Sequence, residues 1–215
     1  MHIYAFGSIC RGDLDTDSDI DLLAIVEGQD SRFNANAFSI YSYERIKELW
    51  AEGNPFAWHL ARESRMLFSG DETDFIRSLG NPNRYRNCVH DCRKFLLLFQ
   101  QARQSLVNSK GSGVFELSIV FLSIRNIATC FSLGMGSKPN FSRRAAFDLG
   151  VRNAPISDEL YAVLHRCRVL STRGNGVPPG DAETAFAVRS LPVIEKWMIG
   201  LVEEAQKYER VHQPN

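Results

Sequence analysis

Two aspartates one residue apart, Asp19 and Asp21, stand at the head of an apolar run, Leu22-Leu23-Ala24-Ile25-Val26. Residues i and i+2 of a strand point to the same face. With Asp19 to Val26 as a strand, the two carboxylates project together at its beginning. Carboxylates held side by side repel, and at neutral pH a cation between them relieves the repulsion. Magnesium suits such a position, because it takes oxygen ligands and is shared between one or two carboxylates and a substrate's phosphates. A Gly-Ser pair, Gly7-Ser8, closes an earlier apolar run, Ile3-Tyr4-Ala5-Phe6. Gly7 has no Cβ to keep a phosphate away from backbone N–H groups, and Ser8 adds a hydroxyl donor. An amide-lined cradle beside a metal clamp is what a magnesium–NTP site requires.

The positioning elements follow from the runs on either side. Residues 2–6 form a short strand, 7–18 a turn, and 20–26 a second strand that is apolar on both faces and therefore central. Acidic turns also contain Asp-x-Asp. The stretch from Gly12 to Asp19 is not an EF-hand loop, since neither the sixth-position glycine nor the twelfth-position glutamate falls in place.

Gly7-Ser8, ten residues, then Asp19-x-Asp21, with Arg11-Gly12 and Ser18 in the intervening segment, resembles the signature of the DNA polymerase β-type nucleotidyltransferase superfamily. The resemblance covers the first 26 residues. It implies an α/β (α+β) catalytic domain with a small mixed sheet, two magnesium ions, and transfer of a nucleoside monophosphate from an NTP. It assigns Asp19 and Asp21 to the metal and to catalysis. Gly7, Ser8, Arg11 and Ser18 go to the nucleotide. Family members often carry a helix before the first strand. Here none precedes it, so the strand edge needs other cover.

The resembled family brings a third acid on a strand beside the Asp-x-Asp strand. The matching strand is 38–42, where the alternating Phe38-Ser39-Ile40-Tyr41-Ser42 carries Ser39 and Tyr41 at the plausible positions and no acid. Glu44 lies just beyond it and Glu63 further on; these are the two candidates, and both residue types more often lie solvated on helix faces. With two ligands one metal still holds an NTP, but a two-metal in-line displacement is weakened.

Ser42 is placed to cap a helix from Tyr43 to Glu52 that stops at Gly53-Asn54-Pro55. Phe56 to Leu60 reads as helix or strand, and the stretch to Phe68 as a helix followed by a short edge strand. Beyond Gly80-Asn81-Pro82-Asn83 the pattern turns helical, which divides the chain into a catalytic domain over 1–80 and a helical bundle over 81–215. Helices are expected over 84–109, 114–133, 141–149 (short), 158–171 with Ser157 as cap, and from an Asp181 cap to about 208, with Pro192 inside the last. Four long helices and one short make an all-α up-down bundle. The 114–133 segment is apolar almost all round and so central, or else a homodimer seam. Arg125 within it needs a partner: Glu116, Asp148 or the active-site cleft.

The bundle resembles two families: the antibiotic nucleotidyltransferases, where it helps to bind the acceptor, and the HEPN domains of toxin–antitoxin systems. The second would bring a ribonuclease motif of Arg, four to six residues, then His. No His follows Arg168 or Arg173 at that spacing. Arg84 and His90 have the spacing but stand at the head of the bundle, where the motif is not expected. Cys88, His90 and Cys92 do not share one helical face, and no second ligand pair follows at zinc spacing, so they read as two buried thiols and a histidine.

Composition sets the outer limits. The 215 residues are 44% hydrophobic and 23% charged, ordinary for a globular chain. No apolar run reaches bilayer length, no signal peptide is evident, and five cysteines without a repeated spacing favour reduced thiols and a cytoplasmic setting. Residues 1–80 hold 7 Lys and Arg against 14 Asp and Glu, while 81–215 hold 18 against 11. A basic half joined to an acidic, metal-binding half suits a nucleotide held between them or an anionic partner, and permits contact with RNA. The leading expectation is an enzyme that moves AMP from magnesium–ATP to an acceptor hydroxyl on a small molecule or protein. The alternative is a nucleotide-binding module with little or no catalysis, acting as a regulatory or antitoxin-type partner.

Overall fold

The computed structural model describes residues 1–13, 20–28, 30–108, 111–136 and 139–212. It comprises two compact units, Met1–Arg86 and Asn87–Asn215. The first extends past the Gly80-Asn81-Pro82-Asn83 stretch because that segment is pinned back onto its own helices. Trp50 Nε1 donates to the Gly80 carbonyl at 3.0 Å, Trp58 Nε1 to the Asn83 carbonyl at 3.1 Å, and Asn83 Nδ2 to the Ala51 carbonyl at 2.8 Å.

The first unit is a mixed four-stranded sheet with helices on one face. Its strands are β1 (His2–Phe6), β2 (Asp21–Val26), β3 (Phe38–Ser42) and β4 (Ser64–Ser69), ordered β3-β2-β1-β4. β1 pairs antiparallel with β2 and with β4, and β2 pairs parallel with β3. The edge that the sequence left needing cover is thus taken by β4, and β1 is an interior strand. A register shift between Ile3 and Tyr4 interrupts the β1–β4 ladder.

A four-residue helix, α1 (Ser8–Arg11), follows β1 inside the segment read as a plain turn. Next come α2 (Tyr43–Glu52), α3 (Pro55–Glu63) and α4 (Phe75–Ser78). The Ser42 hydroxyl caps α2 by accepting from the Arg45 N–H at 3.1 Å. Gly53 ends α2 with φ 64°, and a Cβ there would meet the Asn83 carbonyl at 2.4 Å, so only glycine fits. Residues 56–60 are helical: Asn54 caps α3, accepting from Phe56 N–H at 2.9 Å, and Pro55 opens it with its φ already set. Leu49, Trp50, Ala57, Leu60 and Ile76 close on Tyr4, Phe6, Leu23 and Ile25 of the sheet. Each large apolar side chain buried there contributes about 1.5–3 kcal/mol.

The second unit is helical: α5 (Cys88–Val107), α6 (Gly113–Gly134), α7 (Asp158–Arg173) and α8 (Asp181–His212). α6 is central, with Leu117, Val120, Ile127 and Phe131 buried. By length and hydropathy it alone among the described helices is able to cross a bilayer, yet 61% of that window is buried inside the protein, as befits a core helix. Cys88 and Cys92 pack at the α5–α6 contact, with Sγ atoms 3.5 and 3.9 Å from the Cys130 and Ile127 carbonyls; His90 is exposed. The expected helix over 141–149 is instead two 3₁₀ turns, Ala145–Phe147 and Gly150–Arg152. There Asn140 Oδ1 accepts from the Ser142 N–H at 2.7 Å and Nδ2 donates to Asp148 at 2.8 Å, side-chain bonds that compete with a helical ladder. Arg125 donates to the Phe141 carbonyl in that segment at 2.8 Å. Ser157 caps α7, accepting from the Leu160 N–H at 3.2 Å. Asp181 is the first helical residue of α8 and not its cap; the preceding Gly180 N–H donates to Glu183 at 2.9 Å.

Candidate active site

The site is built on one row across the end of the sheet. Asp21, the first residue of β2, lies opposite Phe6, the last of β1, and Phe6 lies opposite Ser64, the first of β4. Asp21 shares the face of Leu23 and Ile25, the face on which the helices pack. Phe6 meets α3 edge-on, with ring centroids 5.7 Å from Phe56 and 5.6 Å from His59.

Gly7 leaves the row at φ 77°, ψ −140°, a conformation that side chains resist. A Cβ on Gly7 would lie 2.5 Å from Asp21 Oδ2. The carboxylate therefore rests against the bare Cα of the Gly-Ser turn, which brings Gly7 and Asp21 together. Ser8 is buried at the start of α1, and Asp21 is exposed. Asp19 and Ser18 lie outside the described residues.

Arg11 is engaged by carboxylates. Its Nη1 bonds Glu63 and its Nε donates to Asp13 at 3.1 Å. His59 Nε2 lies 3.0 Å from the same Glu63 oxygen. Burial would raise the Glu63 carboxyl, but the hydrogen bonds from His59 and Arg11 outweigh it and hold it below its ordinary value. Glu63 thus stays ionised and ties α1 to α3. His59 was not singled out from the sequence; His59 and Glu63 stand at i and i+4 of one helix, a spacing that shares a face.

Glu44 is placed elsewhere. β3 runs parallel to β2, with Ser42 opposite Val26. At about 3.3 Å per residue, the β3 exit lies about 16 Å along the sheet from Asp21. Glu44, exposed in the first turn of α2, follows that far end. Ser39, opposite Leu23, is on the face of Asp21 and brings no carboxylate. Cys10 is half-buried, 3.4 Å from the Ala5 carbonyl; burial pushes its thiol up despite nearby Arg65, so it is no activated nucleophile.

An exposed carboxylate set against a Cα without a side chain offers a hard oxygen ligand, and this fits magnesium in kind. Among the described residues no group of three or more His, Cys, Asp or Glu is gathered to hold a metal.

Residues 2–78 match the family described as a nucleotidyltransferase domain, which spans every element of the row. The chain matches none of the curated proteins at a significant level.

Proposed function

We propose, on the premise that residues 2–78 are a nucleotidyltransferase domain of the polymerase β type, that the chain transfers AMP from magnesium–ATP to an acceptor hydroxyl of a small molecule or protein. The observation that carries the reading is the contact of the Gly7 Cα with the Asp21 carboxylate. Asp21, with Asp19 two residues before it, would hold magnesium, which when bound neutralises triphosphate charge and aligns the α-phosphorus. The backbone at Gly7 and the Ser8 hydroxyl would hold the β- and γ-phosphates. Arg11 and Glu63 act one step away, fixing the turn by joining α1 to α3. Catalysis is then mostly positioning and charge neutralisation. Cysteines held as thiols fit a reducing, cytoplasmic setting.

A second reading draws on the carboxylates that do not join Asp21: Glu63 is bound to Arg11 and His59, and Glu44 follows the far end of β3. With no third acid gathered among the described residues, the domain would bind nucleotide and serve as a regulatory or antitoxin-type partner. One experiment separates the two. The purified protein is incubated with each α-labelled NTP and magnesium, with and without cell extract, and label transfer and pyrophosphate release are followed. Transfer lost in Asp19→Ala supports the enzyme, and the labelled species identifies the acceptor. Magnesium-dependent binding without transfer supports the second reading.

A further inference from the structure

β4 is an edge strand, paired on one side with β1 and with no strand on the other. Among the described residues, no backbone–backbone hydrogen bond outside the sheet is formed by residues 65–69. The outer side of β4 therefore presents a row of backbone N–H and C=O groups, which is a template for a further strand. The side chains add to this. Met66, Leu67 and Phe68, three consecutive large apolar residues, are 40%, 60% and 46% exposed. Edge strands are ordinarily blunted by charge or proline. β4 carries a single charge, Arg65, and no proline. The opposite edge, β3, alternates apolar and polar residues, and of its large apolar side chains Ile40 alone is exposed.

The edge is self-complementary when turned end for end. Its sequence is Ser64-Arg65-Met66-Leu67-Phe68-Ser69. Arg65 lies opposite Ala5 of β1 and Phe68 opposite Ile3, while Leu67 has no opposite residue at the register shift. Ile3 and Ala5 share one face of the sheet, so the extra residue puts Arg65 and Phe68 together on the face away from the helices. Ser64, Met66 and Ser69 lie opposite Phe6, Tyr4 and His2, on the face that bears the helices. A second β4 laid antiparallel sets Arg65 against Phe68 of the other copy, and Ser64 against Ser69, each pair on one face. Met66 and Leu67 meet in the middle. A guanidinium beside an aromatic ring and a serine beside a serine are favourable cross-strand pairs. The two arginines stand about 10 Å apart along the strands, so like charges do not meet.

We propose that two copies of this chain associate through β4, joined antiparallel about a two-fold axis so that the two sheets become one. The contact is isologous: the same residues serve both sides, and pairing removes both free edges at once. It differs from a seam through α6, whose apolar window is mostly buried inside the chain. The inference stands on the geometry of β4 and does not depend on nucleotidyl transfer.

The test is sedimentation equilibrium of the full chain, without nucleotide, over a range of concentrations. Two short edges make a small interface, so the wild type should pass from one chain to two at roughly 10–100 μM. Leu67→Lys places a charge at the centre of the edge, at an exposed position, and should weaken association at least about tenfold. In dilute solution its thermal melting should match that of the wild type, which shows that the variant is folded. Phe115→Lys, at an exposed position of α6, should associate like the wild type. Hydrogen exchange over residues 64–69 should slow between dilute and concentrated protein, as the outer backbone groups find partners. The proposal is overturned if the wild type stays a single chain at every concentration, the outcome expected if the edge serves another protein's strand. It is overturned equally if Leu67→Lys associates as tightly as the wild type, if Phe115→Lys abolishes association, or if exchange over 64–69 does not change with concentration.

Discussion

Asp21 Oδ2 stands where a side chain on Gly7 would begin: a Cβ at that position would be 2.5 Å from the oxygen. Gly7→Ala must therefore move the carboxylate, and it must also hold φ 77° with a Cβ present. The substitution should cost about 1–3 kcal/mol of stability and lower nucleotidyl transfer by roughly 100-fold. Thermal melting and α-labelled NTP transfer measure the two effects. Full activity in Gly7→Ala would sink the assignment of this turn to the triphosphate.

Asp21 is exposed at the head of β2. Asp21→Asn should change stability by less than about 0.5 kcal/mol while abolishing transfer and magnesium-dependent nucleotide binding. EDTA should reproduce the loss in the wild type. Circular dichroism and a binding titration distinguish this from unfolding, and retained magnesium-dependent binding in Asp21→Asn would remove the residue from the metal site.

The Glu63 carboxyl is held below its ordinary value of 4.5 by His59 and Arg11, which overcome the opposing effect of burial. A folded-state value lower than the unfolded one means stability that is present above pH 4.5 and lost as pH falls through the folded value. Glu63→Gln should be less stable than the wild type by about 1–3 kcal/mol at neutral pH. The gap should narrow as the pH drops below the ordinary glutamate range. Urea unfolding of both proteins across that range checks the sign, and a gap that widens in acid would contradict the ion-pair role.

Tyr4 is 1% exposed; its hydroxyl donates to Asp74 at 3.0 Å and accepts from the Ile76 N–H at 3.1 Å. Burial pushes the phenol well above its ordinary range, so it stays a donor at any working pH. Tyr4→Phe leaves the ring in place but deprives both partners, and should cost about 1–3 kcal/mol in urea unfolding. A neutral result would mean that water or a shift of α4 satisfies the Ile76 amide.

Much of the fold was legible in local chemistry. The strands 2–6 and 38–42 have the spans read from their apolar patterns, and the Ser42 and Ser157 caps sit where side-chain hydroxyls precede helical periodicity. The misreadings have a common cause. At 141–149 the apolar spacing suggested a helix, but Asn140 bonds nearby groups and two 3₁₀ turns result. At 181 an aspartate before a helix suggested a cap, but the helix already includes it. Short side chains that compete with the backbone look alike in sequence whichever partner wins.

The sequence by itself determined the residue types of the site: a glycine and a serine after one apolar run, and aspartates before another. These types are legible because strand periodicity is local, and because glycine and carboxylate chemistry does not depend on distant neighbours. Only the tertiary structure decided which acids could join Asp21. Strand direction settles it: β4 begins beside Phe6 and brings Glu63 to the row, whereas β3 runs parallel to β2 and carries Glu44 away. Even then Glu63 is bound to Arg11 and His59, residues 52 and 4 positions away. Pairing across the sheet and burial of charge are long-range choices made by the whole domain, and no local pattern of residues encodes them.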